Sequence, residues 1–355
     1  MVLLLATVLA LPSSWTLVLG GDVMLNGIRP GGRPLEAVRS HLSRADAAIV
    51  NLEIPLTTAQ TKTRLKTPEE LRARTQFILK ADPAHAVHLA EVGIDAVSLA
   101  CNHQMDFGPQ GLSECLAALG RAGIRFAGAG SVAEEAFRPV RVPLAGGGAI
   151  AMASVLSFVG DRANRKAAPA TERSPGVAAW SFGGAISERA RASIRRTIAA
   201  GKELAPFLVL AIHTGLEKRD TPTAYQVALA RACVDEGADL VVMHHPHVLQ
   251  GAELYRGRPI LYSVGNLVSA LPGSTALFHL RFSDEGRLER FAITPCSISR
   301  GRVAPMAAKD AKAAAARFDD LCRKLARRFP HPESAPLASR FESNSVGSAI
   351  LGHAL

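Results

Sequence analysis

Apolar runs of four to eight residues alternate with amphipathic stretches along most of this chain. The runs read as strands at 15–19, 47–50, 95–100, 124–127, 149–156, 207–212, 240–243, 259–264 and 276–282. Helical spacing of apolar positions predicts helices at 83–92, 111–122, 187–200 and 222–236. The last of these opens on Thr221-Pro222, an N-cap residue followed by proline at the first helical position, and ends at Gly237. Strands alternating with helices predict an α/β fold, a layered β-sheet core flanked by helices. Residues 160–185 are polar with Pro and Gly, and read as a loop. Residues 306–329 are Ala-rich and basic; Phe318, Leu321, Leu325 and Phe329 fall on one face, which predicts a peripheral amphipathic helix. No internal repeat is evident, and the final twenty residues are expected to be loose. The division expected is an apolar segment at 1–14, one main domain at 15–300, and a basic helix with its tail at 301–355.

Polar side chains recur where these strands end, the edge at which open α/β sheets bind ligands. Asp22 follows Leu17-Val18-Leu19-Gly20-Gly21, and Glu53 follows Ala48-Ile49-Val50-Asn51-Leu52. Asn102 and His103 follow the strand at 95–100, with Asp106 placed to orient the His103 imidazole. His213 closes the strand at 207–212, beside Gly215. His244-His245-Pro246-His247 closes the strand at 240–243, and three crowded imidazoles, each with two ring nitrogens to satisfy, suit metal ligation better than core packing. The H-x-H spacing of His245 and His247 puts both rings on one side of an extended segment. Carboxylates at 22 and 53, an amide at 102 and imidazoles at 213, 245 and 247 form a mixed oxygen and nitrogen set. That set suits Mn, Fe or Zn, as one ion or as a pair bridged by a carboxylate. His103 stands outside it, free to act as a general acid or to stabilise developing charge.

Composition narrows the substrate rather than the fold. A net charge of +10 and a pI near 9.8 favour polyanionic partners, or report only solvated basic faces. Aromatic residues are 5% of the chain, so the interleaving that marks single-strand nucleic-acid binders is absent, and no nucleic-acid partner is expected. Five cysteines without a CxxC pair exclude a thiolate zinc site and a disulfide framework. The apolar start, MVLLLATVLAL, resembles the core of a signal peptide, yet the first basic residue is Arg29. Export or membrane anchoring, a misassigned start and an apolar strand all remain open, and with them an envelope or a cytoplasmic location.

Six motifs, in order, resemble the CapA family of poly-gamma-glutamate capsule biosynthesis. They are Gly21-Asp22-Val23-Met24-Leu25, Asn51-Leu52-Glu53-Ile54-Pro55-Leu56-Thr57, Asn102-His103-Gln104-Met105-Asp106-Phe107-Gly108, His213-Thr214-Gly215-Leu216-Glu217, His245-Pro246-His247 and Tyr262-Ser263-Val264-Gly265-Asn266. The resemblance covers residues 15–295 and implies a calcineurin-like metallophosphoesterase-type architecture. It implies that Asp22, Glu53, Asn102, His213, His245 and His247 line the metal site, with Glu53 bridging and His103 as the catalytic imidazole. Cys101 stands where the family usually has Asn, and Thr214 where it usually has Trp. Val23-Met24 follows Asp22 in place of the phosphoesterase D-x-H, so a single ion or an asymmetric pair is implied. Two functions are compatible with these features. One is a metal-dependent hydrolase or transferase acting on an anionic polymer such as polyglutamate, or on a phosphoester. The other is a non-catalytic polymer-binding or assembly component, working with membrane-associated capsule assembly partners.

Overall fold

The computed structural model describes residues 10–160 and 162–337. The first strands in the chain are β1 (Ser14–Val23), β2 (Ala47–Leu52), β3 (Ala96–Ser98) and β4 (Arg125–Ala127). Next come β5 (Ala129–Gly130), β6 (Val140–Pro143), β7 (Ala149–Gly160), β8 (Gly176–Val177) and β9 (Ala179–Trp180). Then follow β10 (Leu208–Gly215), β11 (Leu240–His244), β12 (Ala252–Tyr255), β13 (Arg258–Leu261) and β14 (Asn266–Val268). The last four are β15 (Gly273–Ser283), β16 (Leu288–Ser299), β17 (Arg302–Pro305) and β18 (Ser334–Pro336).

Two eight-stranded sheets form the centre. One runs β17-β16-β15-β1-β2-β3-β4 with β14 beside β1; the other runs β18-β12-β13-β11-β10-β7-β6 with β9 beside β7. β1 to β4 are mutually parallel, as are β7, β10, β11 and β13. Side-chain alternation along each strand decides what meets what. In β1, Leu17 and Leu19 point between the sheets, into a cluster with Val209, Val242 and Phe278. Val18 points outward, into a cluster with Leu89, Leu112 and Leu119 of the helices His85–Glu91 and Gly108–Arg121. In β10, Val209 and Ala211 face inward, while Leu208, Leu210 and Ile212 meet Ile194, Ile198 and Leu229 of the helices Glu188–Leu204 and Ala224–Asp235. The layers are therefore helix, sheet, sheet, helix, the α/β architecture expected. Strands buried on both faces carry nearly unbroken apolar runs, which is why they were legible.

Several boundaries differ from expectation. β1 runs to Val23, its register with β2 shifting between Leu19 and Asp22, where the two glycines sit. The helix expected from Thr221-Pro222 is capped instead by Thr223. That residue accepts from the Gln226 backbone N–H while the Gln226 side chain accepts from Thr223 N–H, a reciprocal pair that Thr221 lacks. The expected loop at 160–185 contains a 3-10 turn, Ala163–Lys166, and the two-residue strands β8 and β9. The amphipathic helix is present at Ala308–Arg328. It buries Phe318 against Phe278 and Phe291, ring centroids 5.5 and 6.2 Å away, while Phe329 is only partly covered. β18 pairs with β12, and Leu337 is buried; residues 1–9 and 338–355 lie outside the described residues. All five cysteines are buried and free. Among the described residues, no helix is long and apolar enough to cross a membrane.

Candidate metal centre

The parallel strands of both sheets deliver their carboxyl ends to one place. Gly21 is what lets Asp22 reach it: a Cβ there would lie 2.0 Å from the carbonyl oxygen of Gly265, and that same carbonyl accepts from Asp22 N–H at 2.9 Å. Asp22 is fully buried. Its Oδ1 accepts from Asn51 Nδ2 at 2.9 Å and lies 3.1 Å from His244 Nδ1. Its Oδ2 lies 3.2 Å from His247 Nδ1 and accepts from His245 N–H at 3.4 Å. Asn51 is held in turn by Ser98, whose hydroxyl donates to Asn51 Oδ1 at 2.5 Å. Glu53 Oε1 lies 3.5 Å from His247 Nε2 and 4.0 Å from His213 Nε2. His213 Nε2 lies 2.9 Å from Asn102 Oδ1 and 3.1 Å from His245 Nδ1. His247 Nδ1 also lies 2.8 Å from Asn266 Oδ1. The six residues expected to line a metal site thus form one connected cluster, buried except at the partly exposed His247.

Its electrostatics favour a cation. Burial alone would raise the Asp22 carboxyl, but contacts with His244 and His247 hold it well below the usual carboxylate range. Glu53 moves the other way: burial first, then the negative charges of Asp22 and Glu217, push its carboxyl well above that range despite the nearby His247. Burial opposes a charge on His247, yet Glu53 and Asp22 raise its pKa to about 10. Burial and the Asp22 charge thus work against a charge on Glu53, and added positive charge at this point would favour both carboxylates. The donors are also under-used. Both carboxylate oxygens of Glu53 and Nδ1 of His213 are buried without a hydrogen-bond partner. Glu53, His245 and His247 offer ligand atoms all within 4.8 Å of one another. That is the donor chemistry of a divalent ion, so the residues fit the group expected. Backbone geometry agrees. His245 and His247 hold φ values of 100° and 58°, a conformation that side-chain-bearing residues rarely adopt and that clusters at functional sites.

Beside the cluster stands a second one. His103 Nδ1 lies 2.7 Å from Asp106 Oδ2, and Lys66 Nζ pairs with Asp106 Oδ1 while lying 3.1 Å from His103 Nδ1. Lys66 also donates to the Phe77 carbonyl at 2.8 Å, and Leu79 N–H donates to Asp106 Oδ2 at 2.8 Å. Among the described residues, Nε2 of His103 makes no hydrogen bond, which leaves it as the ring's available nitrogen. Burial, and then the Lys66 cation, hold the His103 pKa below its ordinary value, so the imidazole rests neutral at pH 7. Sequence reasoning missed Lys66, since nothing in Lys62-Thr63-Arg64-Leu65-Lys66 marks which cation turns inward. It also missed the contact of His244 with Asp22, and Asn51 as the donor to that carboxylate.

The sequence matches the family model described as bacterial capsule synthesis protein PGA_cap over residues 16–271. The chain belongs to this capsule synthesis family. It is 30% identical over 227 residues to the PGA biosynthesis protein CapA of Bacillus subtilis, covering 61% of this chain and 54% of that one. It is 27% identical over 275 residues to the capsule biosynthesis protein CapA of Bacillus anthracis, covering 76% of this chain and 62% of that one. A probable polyglutamine synthesis accessory protein of Mycobacterium tuberculosis is 27% identical over 75% of this chain and 65% of its own length. The chain thus spans between half and two thirds of the curated relatives it matches. Among solved structures, TT1561 of Thermus thermophilus aligns over 78% of this chain and 97% of that one, at a TM-score of 0.36 and 13% identity.

Proposed function

We propose that this capsule-family protein is a metal-dependent hydrolase or transferase acting on an anionic polymer of the polyglutamate kind, or on a phosphoester. The observation that carries the reading is the pairing of a buried, under-used oxygen and nitrogen donor set with a neutral imidazole beside it. Asp22, Glu53, Asn102, His213, His245 and His247 would hold one or two ions of Mn, Fe or Zn. Such an ion, when bound, polarises a carbonyl or phosphoryl oxygen and lowers the pKa of water.

The remaining work falls to the chain. Asp106 fixes the His103 ring through Nδ1, which leaves Nε2 as the nitrogen that would meet the reacting group. A neutral imidazole takes a proton at Nε2 from the attacking group and returns it to the leaving group. Asp106 stabilises the imidazolium in between. Lys66 ties Asp106 down and, through its bond to the Phe77 carbonyl, holds two parts of the segment 58–80 together beside it. A purely structural or assembly role leaves this buried network without a task.

The test is His103→Ala, assayed beside the wild type after both are loaded with Mn or Zn to equal metal content. On a phosphodiester or a polyglutamate substrate, turnover is expected to fall by about 10²–10⁴-fold, the usual worth of a positioned acid–base group. Equal turnover in the variant would remove His103 from the chemistry. Absence of turnover by the fully loaded wild type on either substrate would favour the assembly role.

A further inference from the structure

The positive charge of this protein is concentrated. Residues 58–80 and 162–173 carry ten Lys or Arg against three Glu, in a chain whose net charge is +10. Four of the ten cations have partners: Lys66 on Asp106, Arg72 on Glu69, Lys166 on Glu70, and Lys80 on the Ala59 carbonyl and the Phe107 ring. The other six, Lys62, Arg64, Arg74, Arg162, Arg165 and Arg173, are exposed and make no ion pair among the described residues.

Both segments border the candidate metal centre. The first is anchored on Asp106, which receives Thr63 N–H at its carbonyl and Leu79 N–H at its carboxylate, each at 2.8 Å. The second continues from β7, whose Gly160 pairs with Gly215, two residues beyond His213. A 2.8 Å ion pair between Lys166 and Glu70 joins the two segments. A further observation points to a ligand. Asn164, in the turn Ala163–Lys166, is fully buried, and both atoms of its amide lack a hydrogen-bond partner. Leu65 and Phe77, 45% and 51% exposed, are among the few large apolar side chains left in water.

We infer that these two segments form a rim that binds an extended polycarboxylate and feeds it to the metal centre. A γ-linked polyglutamate repeats a carboxylate, two methylenes and an amide. The six unpaired cations match the carboxylates and Leu65 and Phe77 the methylenes, while the Asn164 amide, fully buried here, meets a chain amide only when the turn Ala163–Lys166 opens. Nucleic acid is the poorer match, because Phe77 is the only aromatic residue in either segment and single strands are held on several stacking platforms. The inference rests on the polymer reading above and adds to it the residues that select the substrate.

The experiment measures the affinity of labelled poly-γ-glutamate for the full chain by fluorescence anisotropy across a range of NaCl. The variants are Lys62→Ala/Arg64→Ala/Arg74→Ala, Arg162→Ala/Arg165→Ala, and Asn164→Leu, which is close in shape. Both charge variants are expected to keep the wild-type Tm, lose at least tenfold in affinity at low salt, and show a shallower dependence on salt. Asn164→Leu is expected to lose affinity without losing Tm, since it removes an unpaired amide. Unchanged affinity in the charge variants, or equal binding of a single-stranded RNA of matched charge, overturns the rim. Failure here is separable from failure of the catalytic reading. Turnover that survives the charge variants removes the rim alone, whereas rim-dependent binding with no turnover by the metal-loaded protein removes catalysis alone.

Discussion

His245 and His247 show how individual side chains here trade comfort for chemistry. Each sits at positive φ, with Pro246 between them, and the result is that the His247 ring meets Asp22 and Glu53 while the His245 ring meets His213. His279 makes a different bargain. It is buried on β15 with Nε2 2.9 Å from Thr294 Oγ1. Burial, and then the nearby His41, lower its pKa to about 4. The unfolded chain, with an ordinary histidine pKa near 6.5, binds the proton first as pH falls, so this residue destabilises the fold on acidification. Its contribution is fully favourable above about pH 6.5 and declines towards pH 4, by about 3 kcal/mol over the whole interval. Denaturant unfolding between pH 7.5 and 4.5 should therefore show a flatter profile for His279→Gln than for the wild type. Parallel profiles would show that His279 titrates normally.

Among the elements, the turn ending β1 is the least forgiving. Gly21 packs against the Gly265 carbonyl, so Gly21→Ala must push apart the two backbones that carry Asp22 and Asn266. We expect it to lower stability by about 3 kcal/mol, the upper end of overpacking costs, and to lose metal with it. Gly273→Ala, also outside the left-handed region and with nothing within 4 Å of its Cβ, serves as the control. An unchanged Tm and metal content in Gly21→Ala would show that the turn yields. The nine strands read from the sequence are all present, most of them because two-sided burial makes their apolar runs unmistakable; the edge strand β4, with Arg125 exposed, is the exception. β16 was not read. Glu289 and Arg290 break its apolar pattern, and Pro295 interrupts it at a position facing Ala276. The candidate residues at strand ends were legible as a group because a polar side chain after such a run has few other reasons to be there. Lys66 was not legible, because its burial depends on contacts with Asp106 and Phe77 that no local pattern announces.

Across the molecule, the two sheets matter for one reason. Face-to-face packing of parallel strands gathers Asp22 and Glu53 from one sheet, and His213 and His245 from the other, at a common edge. No single sheet could supply both the carboxylates and the imidazoles. The account therefore stands on an ion being bound between them. Elemental analysis of the purified protein after incubation with Mn or Zn and desalting, beside a His245→Ala/His247→Ala variant shown to be folded by circular dichroism, decides it. The account predicts one or two equivalents of metal in the wild type and loss of that metal in the variant. Metal-free wild-type protein, or equal metal in both, would contradict it.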